Sequence, residues 1–573
     1  MNRLLNYFKG YYGPSILAPL FKLIEALLEL AVPMIVASII DQAIPSGQQG
    51  QVLAGIARMF AFAFLGLVFA DSAQYLSAKA AVGFTKQMNQ DLFAKIVNLD
   101  AREIQNQSPS SLVNRMSADS LQVQTGLNIF FRLFLRSPFI VFGAFVMALT
   151  ISPRVTWVFL GMIVALFFAV GFVVHLSNPR FTLARERLDR LVLLARQQVK
   201  GVRVIRAFGR QADEEAEFVE ANQSLYQTNL QANNVSVLSN PLTYAIVNLS
   251  LILILWQGGG WVDSGLLKQG ELVALVNYLL SILVELVKLA MVVSTMIRTY
   301  TSASRIAQVL ALEEEEAAFE FLPVEQEDNL IEAQNLSFAF DEKAEPVLSH
   351  LNFALKSGSF LGVIGSTGSG KSVLMSLLMK NYDPTGGRLR LNSHRLKVES
   401  RKEWRQGLSL VPQKASLFKG TVRSNLLLAN PQASDEELWQ ALEVAQADSF
   451  IREKAGLETP VATFGRNFSG GQRQRLTLAR ALLKPAEIYI FDDSTSALDY
   501  LTESEFQKAL KTHYRHKTIV MVSQRTGSVK GADQILVLEE GQQVGYGRHE
   551  MLLETSEVYR EIHESQEVKE VGK

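Results

Sequence analysis

The chain has 573 residues, 48% of them hydrophobic, so it is too long for one globular domain and is expected to hold at least two. Its 56 basic and 56 acidic residues cancel, which leaves no electrostatic argument for nucleic acid or an acidic partner. It has no cysteine, which excludes disulfides and thiolate metal sites, and its 7 histidines show no metal-ligand spacing.

The first residues, MNRLLNYFKGYYGPS, are basic and aromatic, and no small-residue cleavage site follows a short apolar core. They predict a retained interfacial helix rather than a signal peptide. Runs long enough to cross a bilayer, about 20 residues each, follow near 15–42, 52–78, 128–151, 154–177, 241–264 and 271–296. The connections after the second and fourth runs are long. They carry Lys79, Lys86, Lys95, Arg102 and Arg115, and then a further set from Arg180 to Arg210. The other connections are short, with Arg154 and Lys268 as their cations. The excess of cations places both termini and the long connections in the cytoplasm. Helical periodicity persists through LLARQQVKGVRVIRAFGRQADEE, so these helices are expected to continue beyond the membrane as cytoplasmic extensions.

Charges inside apolar spans are costly and point to function or to internal pairing. Lys22, Glu25 and Glu29 share one face of the first span, Asp71 lies in the second, and Glu285 and Lys288 lie in the sixth. Two readings stand: a carboxylate-lined cavity for cationic amphiphiles, or internal ion pairs between Lys22 and Glu25 and between Glu285 and Lys288. Aromatic residues such as Phe64, Phe131, Phe142, Tyr244 and Trp256 line a pocket in one reading and face lipid in the other.

The composition then changes through LEEEEAAFEFLPVEQEDN, an acidic tract with Pro323 that suits a solvated linker. Beyond it, strand and helix patterns alternate as in an α/β fold. The predicted organisation is therefore multi-domain: an all-α transmembrane domain of six helices over 1–312, a linker over 313–329, and an α/β nucleotide-binding domain over 330–573.

Within the last domain, GSTGSGKS follows the apolar strand FLGVI and precedes the helical VLMSLLMK, the context a phosphate-binding loop needs. Backbone N–H groups of Gly365, Ser366, Thr367, Gly368, Ser369 and Gly370 and the helix N-terminus can surround phosphates. Lys371 can neutralise the β and γ phosphates of ATP, and the Ser372 hydroxyl can ligate Mg²⁺. The apolar run IYIFD ends in Asp492, as a buried strand delivering a Mg²⁺ carboxylate would. A glycine-rich strand–helix turn and a solvated turn acid are the plainer readings of these two stretches.

Between them stands NFSGGQRQRLTLARAL, and here the sequence resembles the ATP-binding cassette (ABC) family, whose signature corresponds to Ser469, Gly470, Gly471 and Gln472. The resemblance implies an adenine-stacking role for Phe340 in LSFAF. It makes Gln413 in LVPQ the Q-loop glutamine and a Mg²⁺ ligand together with Ser372 and Asp492, and Ser496 to Asp499 the D-loop. It also makes LDAREIQNQSPSSLVNRMSAD and GVRVIRAFGRQ intracellular loops whose short transverse helices press on nucleotide domains, with Pro109 where the first loop commonly has Gly. With six spans upstream it covers the whole chain and implies a multi-pass exporter half in the cell membrane, not a soluble nucleic-acid ATPase.

Two positions depart from the family pattern. Asp493 stands where a catalytic Glu should follow Asp492, and Gln524 stands where a switch His should follow TIVMVS; Thr463 also replaces a common loop Glu. Asp reaches about 1.5 Å less far than Glu. A displacement of about 1 Å costs about 10²-fold, and loss of general-base assistance about 10² to 10⁴-fold. The weak base beside an intact signature resembles the degenerate subunit of bacterial heterodimeric multidrug exporters. In that family the signature caps ATP held by a second cassette, here one expected to carry the missing Glu. The transported compound would be a small amphiphile such as a drug, lipid or peptide. A slow homodimer and an ATP-gated regulatory or channel-like protein are the alternatives.

Overall fold

A computed structural model describes residues 2–571 apart from 316–323, 325, 327, 342 and 393–399. The centre of the acidic linker, with Pro323, lies outside the described residues. The chain forms two compact units: Met1–Val97 with Ser108–Leu312, and Asn98–Gln107 with Glu313–Lys573.

In the first unit a short helix Asn2–Leu5 and a 3-10 turn Asn6–Phe8 precede the long helices. Among the described residues six helical segments are long and apolar enough to cross a membrane: Tyr12–Ala43, Gln49–Val97, Pro109–Ile151, Pro153–Ala207, Gln211–Asp263 and Gln269–Ala311. At about 1.5 Å per residue, the uninterrupted helices Gln49–Val97 and Pro153–Ala207 run to about 73 and 82 Å, well over the thickness of an apolar bilayer core of about 30 Å. The helical periodicity carried past the second and fourth apolar runs thus has a structural counterpart.

The first, third and sixth segments pack through small residues. Ala26, Ala37, Ala144, Ala148 and Ala274 are buried among Leu30, Ile140, Tyr278, Leu279 and Ile282. Small residues bring backbones close, which is how apolar helices gain contact where burial from lipid gains little. The Tyr278 hydroxyl donates to the Leu30 carbonyl at 2.7 Å. Asp41 receives the first N–H groups of the sixth helix, Gly270 at 2.6 Å and Glu271 at 3.1 Å, so a side chain from another helix caps that N-terminus.

Five of the six intramembrane charges, all but the exposed Asp71, form one network. Lys22 pairs with Glu25 at 2.5 Å and Lys288 with Glu285 at 2.8 Å, the two internal pairs anticipated from spacing. A residue not anticipated there, Arg136 of the third segment, joins them: its guanidinium lies 2.6 Å from Glu285, 2.5 Å from Glu29 and 3.8 Å from Glu25. Ser137 adds a hydrogen bond to Glu285 at 2.7 Å. The side chains of Arg136 and Glu285 are 9% and 3% exposed, so this is a desolvated tie between the first, third and sixth segments. Of the aromatic residues, Phe131 is buried, whereas Phe64, Phe142, Tyr244 and Trp256 are exposed.

Among the described residues the second unit is built on a sheet of nine strands: β1 Asn329–Phe338, β2 Leu348–Lys356, β3 Phe360–Gly365, β4 Gly386–Leu391, β5 Leu408–Val411, β6 Ile488–Asp492, β7 Thr518–Ser523, β8 Gln534–Glu539 and β9 Gln542–Gly547. Their order in the sheet is β4-β1-β2-β9-β8-β3-β7-β6-β5. The run β8-β3-β7-β6-β5 is parallel, and β1 pairs antiparallel with β2 and β4. Parallel strands are covered on both faces, and the sequence shows it, since residues 488–491 of β6 and 519–522 of β7 are continuous apolar runs. Alternate residues serve different cores. Ile488, Ile490, Val520 and Val522 pack with Leu374 and Leu377 of helix Lys371–Leu378. Tyr489, Phe491, Ile519 and Met521 pack with Leu476, Leu478 and Leu482 of helix Gly470–Leu483.

Residues 98–107 belong to this unit through an isolated bridge between Leu99 and Glu314 and a hydrogen bond from the Glu315 amide to the Asn98 carbonyl at 3.0 Å. Their helix Ala101–Asn106 is capped by Asp100, which accepts from the Arg102 amide at 2.8 Å. Ala101 packs against the core that holds Trp404 and Tyr382. Pro109 opens the next short helix at a position where a missing N–H costs nothing, behind the Ser108 cap.

Candidate functional site

In an open parallel sheet, ligands gather at the carboxyl ends of the strands. Four neighbouring strands deliver the predicted residues to that edge: Gln413 follows β5, Asp492 and Asp493 end β6, Gln524 follows β7, and Gly365 to Ser372 follow β3.

The loop after β3 needs its glycines for two different reasons. Gly368 and Gly370 have φ of +87° and +92°, which side chains with a Cβ rarely adopt. Gly365 is crowded instead, since an added Cβ would lie 2.2 Å from the Leu538 carbonyl oxygen. Lys371, the first residue of its helix, is buried and turned onto the loop. Its ammonium donates to the carbonyls of Gly365 at 2.8 Å and Ser366 at 2.5 Å, and to the Ser369 hydroxyl at 3.2 Å. Burial holds this ammonium below its ordinary pKa, against the opposing pull of Asp493 and Asp492. Ser372 beside it is exposed. Burial and the adjacent Asp493 charge hold the Asp492 carboxyl above the usual carboxylate range, although Lys371 works the other way. The Asp492 carboxylate, the exposed Ser372 hydroxyl and the Gln413 amide oxygen are hard-oxygen donors of the kind Mg²⁺ prefers, and their chemistry fits that ion.

Asp493 is buried and takes a left-handed backbone, φ 43°, a conformation Asp tolerates better than most side chains. Its amide donates to the Val522 carbonyl of β7 at 3.0 Å, which fixes the turn. Two side-chain amides converge on its Oδ2: Gln413 Nε2 and Gln524 Nε2 each donate at 3.3 Å. Gln524 in turn stands 3.5 Å from the Thr367 hydroxyl. The residues at the two departing positions are thus in direct contact.

Phe340 is 45% exposed and packs edge-on against Phe338 and Tyr382, with ring centroids 5.1 and 5.7 Å away, so one face of its ring is available for stacking. Ser469 caps helix Gly470–Leu483: its hydroxyl accepts from the Gln472 amide at 3.3 Å, and the Gln472 side chain accepts from the Ser469 amide at 3.1 Å. No acid occupies the first turn, so the positive end of the helix is unneutralised. This helix and the loop's own helix belong to cores on opposite faces of the sheet, and among the described residues no hydrogen bond joins Ser469–Gln472 to Gly365–Ser372.

Sequence reading missed the buried support behind the D-loop. Arg525 donates to the carbonyls of Leu498 at 3.3 Å and Ser496 at 3.2 Å and pairs with Glu503 at 2.8 Å. Glu503 also accepts from Thr495 at 2.8 Å and Ser528 at 2.5 Å. An acid buried one turn into a helix beside a D-loop motif was the available signal.

Residues 15–287 match the ABC transporter transmembrane region, and residues 348–496 match the ABC transporter domain. An uncharacterized ABC transporter ATP-binding protein of Mycobacterium bovis is 31% identical over 555 residues, covering 96% of this chain and 95% of its own. The chain belongs to the ABC transporter family. YfiB of Bacillus subtilis, an uncharacterized ABC transporter ATP-binding protein, is 30% identical across 99% of this ABC transporter chain and 98% of its own. The ATP-dependent lipid A-core flippase of Chromobacterium violaceum is 28% identical across 98% and 97%. The fold matches that of a bacterial Atm1-family ABC exporter with ATP bound, at a TM-score of 0.77 and 23% identity over 97% and 98% of the two chains. Six apolar helices followed by a cassette thus make this a multi-pass ABC transporter chain, and an ABC ATPase domain so attached implies ATP hydrolysis coupled to transport across a membrane.

Proposed function

We propose that this chain is the slow-site subunit of a two-chain ABC exporter. Its own cassette holds ATP and hydrolyses it poorly, and its signature completes the faster site of a partner that carries Glu after its own Mg²⁺-binding Asp. The observation that carries this reading is the convergence of Gln413 and Gln524 on Asp493 Oδ2. Both amides compete with an incoming water for that oxygen, on a base already one carbon short. The Asp493 carboxylate would therefore accept a proton from water less readily than a free Glu would.

In this reading Phe340 stacks on adenine, the 365–370 loop and Lys371 hold the phosphates, and Ser372, Gln413 and Asp492 hold Mg²⁺. Bound there, Mg²⁺ would supply charge neutralisation at the β and γ phosphates. Ser469, Gly470, Gly471 and Gln472 serve the partner's ATP, as supported by the placement of their helix on the other face of the sheet from Lys371. Both termini lie in the cytoplasm, on the distribution of Lys and Arg. The exported compound is an amphiphile taken from or near the bilayer.

Lys371→Ala is expected to weaken ATP binding to this chain by about ten- to a hundredfold, the loss of a charge-assisted contact to phosphate. Photolabelling of this chain with azido-ATP over a concentration series measures it. Tagging the chain in its native membrane and purifying the complex tests the pairing. A second six-span ABC chain with the Glu is expected to copurify, and recovery of this chain alone as an active dimer would overturn the proposal.

A further inference from the structure

The C-terminal helix Glu557–Val571 lies against the switch loop, and nothing in the cassette's nucleotide chemistry accounts for how closely. Tyr559, fully buried, anchors the helix in a small core with Val529, Ile535 and Val537, and its hydroxyl meets His549 Nδ1 at 2.8 Å. Tyr559, Ile562, His563 and Gln566 follow one another at i, i+3, i+4 and i+7, so they share one helix face. Ile562 packs against the same core, and His563 Nδ1 stands 3.2 Å from the Thr526 hydroxyl. The stripe ends in Gln566, a polar residue, where it reaches the loop that carries Gln524.

Gln566 makes three hydrogen bonds there. Its Oε1 accepts from the Thr526 amide at 2.9 Å and from the Thr526 hydroxyl at 3.0 Å, while its Nε2 donates to the Gln524 carbonyl at 2.8 Å. The backbone N–H of Thr526 can only donate, which fixes the orientation of the amide and leaves its N–H₂ for the Gln524 carbonyl. The neighbouring Arg525 is held on the other side by the D-loop carbonyls of Ser496 and Leu498. The backbone of residues 524–526 is thus clamped between the D-loop and the C-terminal helix.

We propose that Gln566 is a positioning residue for the switch: through its hydrogen bonds to the Gln524 carbonyl and to Thr526, the C-terminal helix holds Gln524 against Asp493 and so sets how long ATP stays in this chain's site. The inference rests on the reading of Gln524 and Asp493 as switch and base. It extends the site to a helix about forty residues downstream that carries no nucleotide motif.

The test uses the assembled transporter in lipid nanodiscs and radiolabelled ATP, with the lifetime of ATP on this chain as the readout. Gln566→Ala removes all three hydrogen bonds, of which the one to the Gln524 carbonyl acts directly on the switch, and should shorten that lifetime by about two- to tenfold. Gln566→Glu is nearly isosteric and keeps the acceptor for Thr526 but loses the donor to Gln524. It should behave like Gln566→Ala while retaining the thermal midpoint of the native protein. In a Gln524→Ala background Gln566→Ala should change the lifetime no further, whereas a purely structural role would act equally in both backgrounds. A short lifetime in Gln524→Ala with native lifetimes in both Gln566 variants would overturn this inference and leave the site reading standing. A native lifetime in Gln524→Ala would overturn the site reading, and this inference with it.

Discussion

Replacing Ser469 by Arg is expected to lower ATP turnover of the assembled transporter by about 10² to 10³-fold while azido-ATP still labels this chain. Ser469 and Gln472 satisfy each other across the first turn of helix Gly470–Leu483, and Gly470 and Gly471 leave that turn with no side chain beyond Cα. Ser469 and Gly470 are exposed at the helix end, so an anion can approach the free N–H groups and the positive pole of the helix. An Arg there removes the cap, fills the approach with a bulky chain, and leaves the phosphate-binding loop of this chain untouched. The contrast with Lys371→Ala is the informative part: one variant keeps nucleotide on this chain and stops turnover, and the other loses nucleotide from this chain. Native turnover in Ser469→Arg would remove the signature from the mechanism.

Arg136→Met is expected to destabilise the transmembrane unit by about 3–5 kcal/mol, the usual consequence of removing one partner from a buried ion pair. Glu285 would keep Lys288 and Ser137, but Glu29 would lose its 2.5 Å partner and the first, third and sixth segments would lose their common cation. The lowered thermal midpoint in detergent should recover in large part when Glu285→Gln and Glu29→Gln are added, because the carboxylates stranded by the first change are then neutral. Lack of recovery would mean that Arg136 acts through packing rather than through charge.

Much of this was legible because it is written locally. Hydropathy over about 20 residues marks a span, and GSTGSGKS, SGGQ and IYIFD each lie within a few residues of chain. Arg136 was not legible, because its partners Glu29 and Glu285 stand 107 and 149 residues away. The imbalance was the available clue, since Lys22 and Lys288 faced Glu25, Glu29 and Glu285, and a third cation was owed. The departures at Asp493 and Gln524 could be read from motif position, but their contact could not. It depends on the order β3-β7-β6-β5, which brings to one edge the ends of four strands spread along the chain from Gly365 to Ser523. Gln566 was invisible for the same reason, since the mixed charge of its helix says nothing of the loop it meets.

The central claim is that Asp493 contributes little to turnover. The direct measurement is single-turnover ATP hydrolysis by the purified two-chain complex, comparing Asp493→Asn with removal of the partner's Glu. Asp493→Asn is expected to lower the rate by about twofold or less with ATP still held on this chain, and loss of the partner's Glu to lower it by about 10² to 10⁴-fold. If Asp493→Asn stops hydrolysis as completely as the partner's substitution does, both sites are catalytic and the exporter is symmetric in its chemistry.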